Sequence, residues 1–401
     1  YGIDAVHGHN NVQGATIFPH NIGLGCTFDP DIVYKVADIT AKEVSATGID
    51  WNFAPCLTIP QDERWGRYYE GFSEDPQLVS DLGIATIKGY QNILGKNHSI
   101  AACAKHFIGD GATIWGTGDS NYKIDRGNAI INQQELRDKY LIPYQNAISN
   151  GVLTVMASFN SYNGLKCHAS SYLFNDLLKD ELKFEGFVIS DWRGIDEIPG
   201  DYKSDIITSI NAGIDMIMVP GDTIWGGQPY HKFLKLFKES VNENSIQEEK
   251  IDDAVSRILK VKYMLGLFDD PYTDRSYIDK FGSYDHRQVA REAVRKSLVL
   301  LKNNNILPLS KNIEYIHVAG IGANDIGMQC GGWTMEWQGK MGQITDGTTI
   351  LDGIQSAVYP TTNITHSSDG TGGSKANVGI VVIGEEPYAE GIGDREELYL
   401  S

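Results

Sequence analysis

The sequence predicts an α/β protein of two domains, a (β/α)8 TIM-like barrel followed by a second α/β domain. Three observations predict it. Short apolar runs of strand length alternate with helix-period segments over residues 1–266, the pattern of a parallel sheet with helices outside. The unit recurs every roughly 30–50 residues, over a span that suits a barrel better than an open sheet. After Gly266 the run LFDDPYTD interrupts the alternation, as a linker rich in turn formers does.

In the first domain the strands are expected at 3–6, 49–54, 100–104, 152–157, 187–190 and 214–219. Helices are expected at 32–47, 77–93, 132–149, 170–182, 229–241 and 247–265, where apolar residues return with a 3.6-residue period. Six strands are legible of the eight a barrel closes with. The linker covers 267–284, and the second domain 285–401 opens with a helix at 285–297. Its strands are expected at 298–302, 315–320 and 379–383, and its Gly-rich segment 366–376 as an exposed loop. The chain begins at Tyr1 inside an expected strand and stops at Ser401 in an acidic stretch, so it reads as part of a longer protein.

The 401 residues carry a formal charge of −18. So acidic a chain has no basic stripe to displace counterions from phosphates, which argues against nucleic acid and favours neutral substrates. No apolar run approaches the roughly 18 residues of a membrane span. The five cysteines, Cys26, Cys56, Cys103, Cys167 and Cys330, are scattered without a CxxC pair, which disfavours a zinc site or a disulfide scaffold. Sequons at Asn97 and Asn363 would accept glycans in a secreted protein.

Polar residues gather where the expected strands end. Asp4 and His7 follow the first, Lys105 and His106 the third, Ser158 the fourth, and Asp191 and Trp192 the fifth. The C-terminal ends of barrel strands converge on one mouth, so these residues become neighbours around a ligand. Asp191, at the end of GFVISDW, fits either a helix N-cap or a catalytic carboxylate. A carboxylate among cations and aromatics suits sugar chemistry, since retaining glycosidases use two carboxyls about 5–5.5 Å apart, one ionised and one protonated. Lys105 and Arg67 are expected to hold the Asp191 pKa low. His7 and His9 lack a third ligand at metal spacing and are expected to brace the loop.

The segments YGIDAVHGHNNV, RWGRYYEGFSEDP, KHFIGDG, VISDW, GGWTMEWQG and VIGEEPYAEGIGD together resemble the signatures of family three glycoside hydrolases, nearest to β-glucosidases and exo-β-glucanases of the plant and lysosomal kind. The resemblance runs from Tyr1 to about Asp394. It implies a barrel followed by an α/β sandwich domain, with Asp191 as nucleophile and Glu385 as acid/base. It implies that Asp4, Arg67, Lys105 and His106 bind glucose hydroxyls and that Trp192 and Trp333 clamp the next sugar. No metal or organic cofactor is implied; the partner is a small neutral β-glucoside or oligosaccharide, in a secreted or lysosomal setting. The expected reaction is retaining hydrolysis of non-reducing terminal β-D-glucosyl residues.

Two departures from the family pattern bear on this. The loop Asp119-Ser120-Asn121 has an amide where bacterial β-N-acetylglucosaminidases of the family carry a catalytic histidine, and an amide cannot pass a proton. Glu197 stands where plant members place an arginine, which opens the linkage preference. Phe159 stands where they carry a tyrosine. Other classes fit less well. HVAGIGANDIG at 317–327 misses the dinucleotide fingerprint, because Asp325 occupies its third glycine position. A non-catalytic sugar-binding protein of the same fold, or xyloside specificity, is the alternative within the family.

Overall fold

Strands β1 (Gly2–Ile3) and β2 (Trp51–Asn52) pair in parallel, Gly2 opposite Trp51. Parallel bridges Trp51–Ala101 and Cys56–Lys105 carry the order on to β3 (Cys103–Phe107). β3 pairs with β4 (Thr154–Ala157), β4 with β5 (Phe187–Ile189), and Ile189 bridges to Met216, all in parallel. Six parallel segments therefore lie side by side in chain order, as the alternating pattern predicts. The computed structural model from which this is drawn describes residues 1–95, 98–118, 121–221 and 227–400. Asn97, Asp119 and Ser120 lie outside the described residues.

The crossover helices explain why the strands run parallel. Helix α1 (Pro30–Ala46) begins with Asp29 accepting from the amides of Asp31 and Ile32, and α2 (Pro76–Tyr90) with Asp75 accepting from Gln77 and Leu78. Proline at the first helical position of each needs no hydrogen-bond acceptor for its nitrogen. Ile32, Val33, Val36, Ala37, Ala41 and Val44 form the buried face of α1. They share a core with Leu82 and Ile87 of α2 and with Ala104, Val155 and Val188 of the strands. Burying each large aliphatic side chain stabilises the fold by about 1.5–3 kcal/mol. Further helices follow at Ile142–Ser149 (α3), Tyr172–Glu181 (α4, wound as a π-helix), Tyr202–Ala212 (α5), Tyr230–Asn242 (α6) and Glu248–Met264 (α7). Among the described residues no helix is long and apolar enough to cross a membrane.

The chain divides into two units. The first comprises Tyr1–His9, Ala15–Ser297 and Glu390–Glu396; the second comprises Asn10–Gly14, Leu298–Ala389 and Glu397–Ser401. Helix α8 (Tyr284–Ser297) thus belongs to the first unit and not to the domain the sequence assigns it to. Its register is fixed by the buried Glu43 of α1, which pairs with His286 at 2.7 Å and accepts from the Gly282 amide at 2.9 Å.

The second unit is an α/β layer of its own. Strand β6 (Tyr315–Ala319) lies between β7 (Asn363–Ser367) and β8 (Val378–Val381), both parallel to it, and α9 (Ile350–Ala357) packs Leu351 and Ile354 on Ile316 and Val318. Two expectations fail here. Residues 298–302 form no strand, and Leu298 to Leu301 are all exposed, because an apolar run of strand length stays open unless a neighbour pairs with it. Part of the Gly-rich stretch is strand β7, with exposed Asn363 at its start.

Candidate active site

Lys105 and His106 come from β3, where the pairing register shifts between Ala104 and Phe107 and breaks the regular alternation of side chains. Both are buried. Lys105 donates to Asp4, just beyond β1, at 2.9 Å. Arg67 follows β2 by a long loop and is gripped by Glu70, Nε and Nη2 each donating to a carboxylate oxygen at 2.9 Å. Its Nη2 also donates to His106 Nε2 at 3.0 Å, so the imidazole proton sits on Nδ1 and is donated to Asp110 at 2.8 Å. Burial and the charges of Arg67 and Lys105 hold the His106 pKa well below its usual value, so the ring is neutral.

Asp191 lies two residues beyond the end of β5 and is 8% exposed. One carboxylate oxygen accepts from the Trp192 amide at 2.6 Å, while Oδ2, 3.7 Å from His106 Nε2, has no hydrogen-bond partner. The Asp191 amide donates to His168 Nε2 at 3.0 Å. A Cβ on Gly194 would lie 2.2 Å from that nitrogen, so only glycine lets the chain after Asp191 close over the ring. Burial pushes the His168 pKa down to about 3, which keeps Nε2 an acceptor.

The expectation that Arg67 and Lys105 hold the Asp191 pKa low is wrong. Burial pushes it up to about 7, Arg67 opposes this, and the Glu390 carboxylate adds to the rise. Arg67 and Lys105 both pull it down, but Arg67 is paired with Glu70 and Lys105 with Asp4, and together they do not outweigh the cost of desolvating Asp191.

Glu390 is buried in the same unit. Arg126 donates to it at 3.1 Å and to Glu197 at 2.8 Å, and Lys166 donates to the other Glu197 oxygen at 2.8 Å. The Arg126 guanidinium lies 4.0 Å from the centre of the Phe159 ring.

Of the residues expected to form a site, Asp4, Arg67, Lys105, His106 and Asp191 belong to this one network. Trp192 is 49% exposed beside Asp191, which leaves its ring available for stacking. Trp333 and Glu385 belong to the second unit. Trp333 sits on a loop with its ring buried, and Glu385 accepts from the Tyr388 hydroxyl at 2.6 Å. Sequence reasoning missed Glu70, Asp110, Arg126, His168 and Glu390. Glu70 has a signal in its i,i+3 spacing from Arg67, and Glu390 lies inside VIGEEPYAEGIGD; His168 has none.

Cys56, His106 and Asp110 lie close enough to hold an ion. They do not fit one: both His106 nitrogens are engaged by Asp110 and Arg67, burial drives the Cys56 thiol strongly towards its neutral form, and a cation would face Arg67 and Lys105. All five thiols are free.

Parallel strands that gather a buried carboxylate, two paired cations and a neutral imidazole at their C-terminal ends define an α/β protein with a strand-end polar site. The chain belongs to glycosyl hydrolase family 3. The family's N-terminal domain matches residues 1–261 and its C-terminal domain residues 298–401. The chain is 35% identical to the lysosomal beta glucosidase of Dictyostelium discoideum, over 99% of this chain and 51% of that protein. It matches the crystal structure of an exo-1,3/1,4-beta-glucanase from a Pseudoalteromonas species with a TM-score of 0.90 at 44% identity, over 98% of this chain and 49% of that one. A beta-glucosidase from Listeria innocua, solved in complex with glucose, gives a TM-score of 0.85 at 29% identity, over 100% of this chain and 54% of that one. The chain thus spans about half the length of these relatives.

Proposed function

We propose that this chain carries the glucosyl site of a β-glucosidase or exo-β-glucanase that cleaves non-reducing terminal β-D-glucosyl residues with retention, and that its parallel strands belong to a (β/α)8 barrel followed by an α/β sandwich domain. One observation carries the reading: Asp191 stands buried at a strand end with one carboxylate oxygen unbonded, ringed by groups suited to sugar hydroxyls. Asp191 Oδ2 attacks the anomeric carbon. Asp4, Arg67, Lys105 and His106 hold the glucose, Trp192 stacks on the sugar beyond it, and the steps need neither metal nor organic cofactor.

For the proton donor we favour Glu390 over Glu385. Glu390 shares a unit with Asp191, is buried, and lies near enough to raise the Asp191 pKa. Glu390 protonates the leaving oxygen as Asp191 attacks, then takes a proton from the water that releases glucose. The name of the Dictyostelium relative supports a place outside the cytosol.

The test is to trap the intermediate with a 2-fluoro-glucoside and map the labelled peptide. Label on Asp191, with β-glucose as the first product, supports the reading; label elsewhere, or α-glucose first, sinks it. Asp191→Asn separates it from a sugar-binding protein without activity, which would show no turnover of 4-nitrophenyl β-glucoside even before mutation. Comparing Glu390→Gln with Glu385→Gln decides the donor, because only loss of the donor spares substrates with a good leaving group.

A further inference from the structure

Four residues after Glu390, the Asp394 side chain accepts four main-chain hydrogen bonds. Oδ1 takes the Gly66 amide at 2.9 Å; Oδ2 takes the amides of Lys123, Ile124 and Asp125 at 3.0, 2.9 and 2.9 Å. Three successive amides aimed at one oxygen form an anion-binding nest, here filled by the protein's own carboxylate. The next residue continues the attachment, the Arg395 amide donating to the Arg64 carbonyl at 3.1 Å.

The two segments that grip Asp394 are those that lead into the site. One runs through Gly66 into Arg67; the other runs through Asp125 into Arg126, which holds the Glu390 carboxylate. Glu390 itself has a φ of 56°, a left-handed backbone that a glutamate keeps only where its surroundings impose it. The segment sits so close that a Cβ on Gly66 would lie 2.1 Å from the Glu390 carbonyl oxygen. These four bonds tie Asp394 to the main chain on both sides of the site. What it fixes is the turn that presents Glu390.

We propose that Asp394 is a positioning residue for the proton donor, clamping the Glu390 turn to the backbone that carries Arg67 and Arg126. The proposal rests on the reading of Glu390 as acid/base. A displaced donor slows glycosylation in proportion to the help the leaving group needs, whereas a partly unfolded enzyme loses all substrates alike.

The experiment compares kcat/KM for 2,4-dinitrophenyl β-glucoside and for cellobiose in the full chain, with Glu390→Gln beside Asp394→Ala. In Asp394→Ala the cellobiose value is expected to fall by about 100-fold or more while the dinitrophenyl value stays within about threefold, and azide is expected to restore turnover with β-glucosyl azide as product. Equal loss on both substrates, or no loss on either, overturns the role of Asp394. If Glu390→Gln itself loses both substrates equally, the reading of Glu390 fails instead. Should Asp394→Ala not fold, Asp394→Asn keeps an oxygen for the 123–125 amides and turns an NH2 towards Gly66; it is expected to show the same selectivity at smaller amplitude, and equal loss there overturns the proposal.

Discussion

His168 Nε2 accepts the main-chain N–H of Asp191 at 3.0 Å, with both residues buried. The carboxylate is therefore held through its backbone, and its Oδ2 stays buried and without a hydrogen-bond partner. A protonated imidazole could not accept this bond, and burial keeps the ring neutral.

Removing that acceptor orphans a buried amide and opens a cavity. His168→Ala is expected to lower unfolding stability by about 2–4 kcal/mol and kcat/KM by roughly 10–100-fold, since small misplacements of a reacting group are costly. His168→Gln, whose Oε1 can accept the amide, is expected to recover part of both. Urea unfolding and steady-state kinetics on the two variants check this, and equal damage from both would remove the hydrogen bond as the cause.

The raised Asp191 pKa predicts a pH profile. As the proposed nucleophile, Asp191 must be ionised, so kcat/KM is expected to rise with pH through about 7 and level off above it. Glu390 contributes to that rise, so Glu390→Gln is expected to move the acid limb to lower pH. The profile is best measured with 2,4-dinitrophenyl β-glucoside, which needs no proton donor. A limb that stays in place would mean the two carboxylates do not interact.

The strand-end residues were legible because period and position determine them. Apolar runs ending at Asp4, Lys105 and Asp191 need only the rule that parallel strands deliver their last side chains to one end. What loops decide was not legible. Asp394 anchors its turn to amides about 270 positions earlier, and nothing local in VIGEEPYAEGIGD marks that. Glu390 was not legible either, since β8 stops at Val381 and nothing local in the sequence marks that the chain rejoins the first unit at Glu390. The Asp191 pKa was misjudged for a related reason. Sequence shows that Arg67 and Lys105 exist, but not that Glu70 and Asp4 already pair with them.

Asp191 also carries a stability cost with a definite sign. Its folded pKa of about 7 lies above the ordinary 3.8, so the folded state holds a proton that the unfolded chain has released. Stability from this group is complete below about 3.8 and is lost as pH rises to about 7. Asp191→Asn is expected to be more stable than the wild type by about 1–3 kcal/mol at pH 8, with the gain vanishing towards pH 4. Thermal unfolding across that range measures it; a gain independent of pH would point to a cause other than ionisation.

Arg67 and Glu70 form a buried pair whose two charges are satisfied within the fold. Taking away one partner strands the other, so Arg67→Ala is expected to cost about 3–5 kcal/mol. Arg67→Lys keeps the charge but can reproduce neither the bidentate grip on Glu70 nor the third bond to His106 Nε2. Without that donor the His106 tautomer is no longer fixed, which would weaken the hold on glucose proposed for it. The lysine variant is accordingly expected to fold with a smaller loss, about 1–2 kcal/mol, yet to show a raised KM for β-glucosides. The double variant Arg67→Met/Glu70→Leu removes both charges and is expected to regain stability over Arg67→Ala without regaining activity. Stability and KM recovering together in that double variant would show that Arg67 serves only the fold.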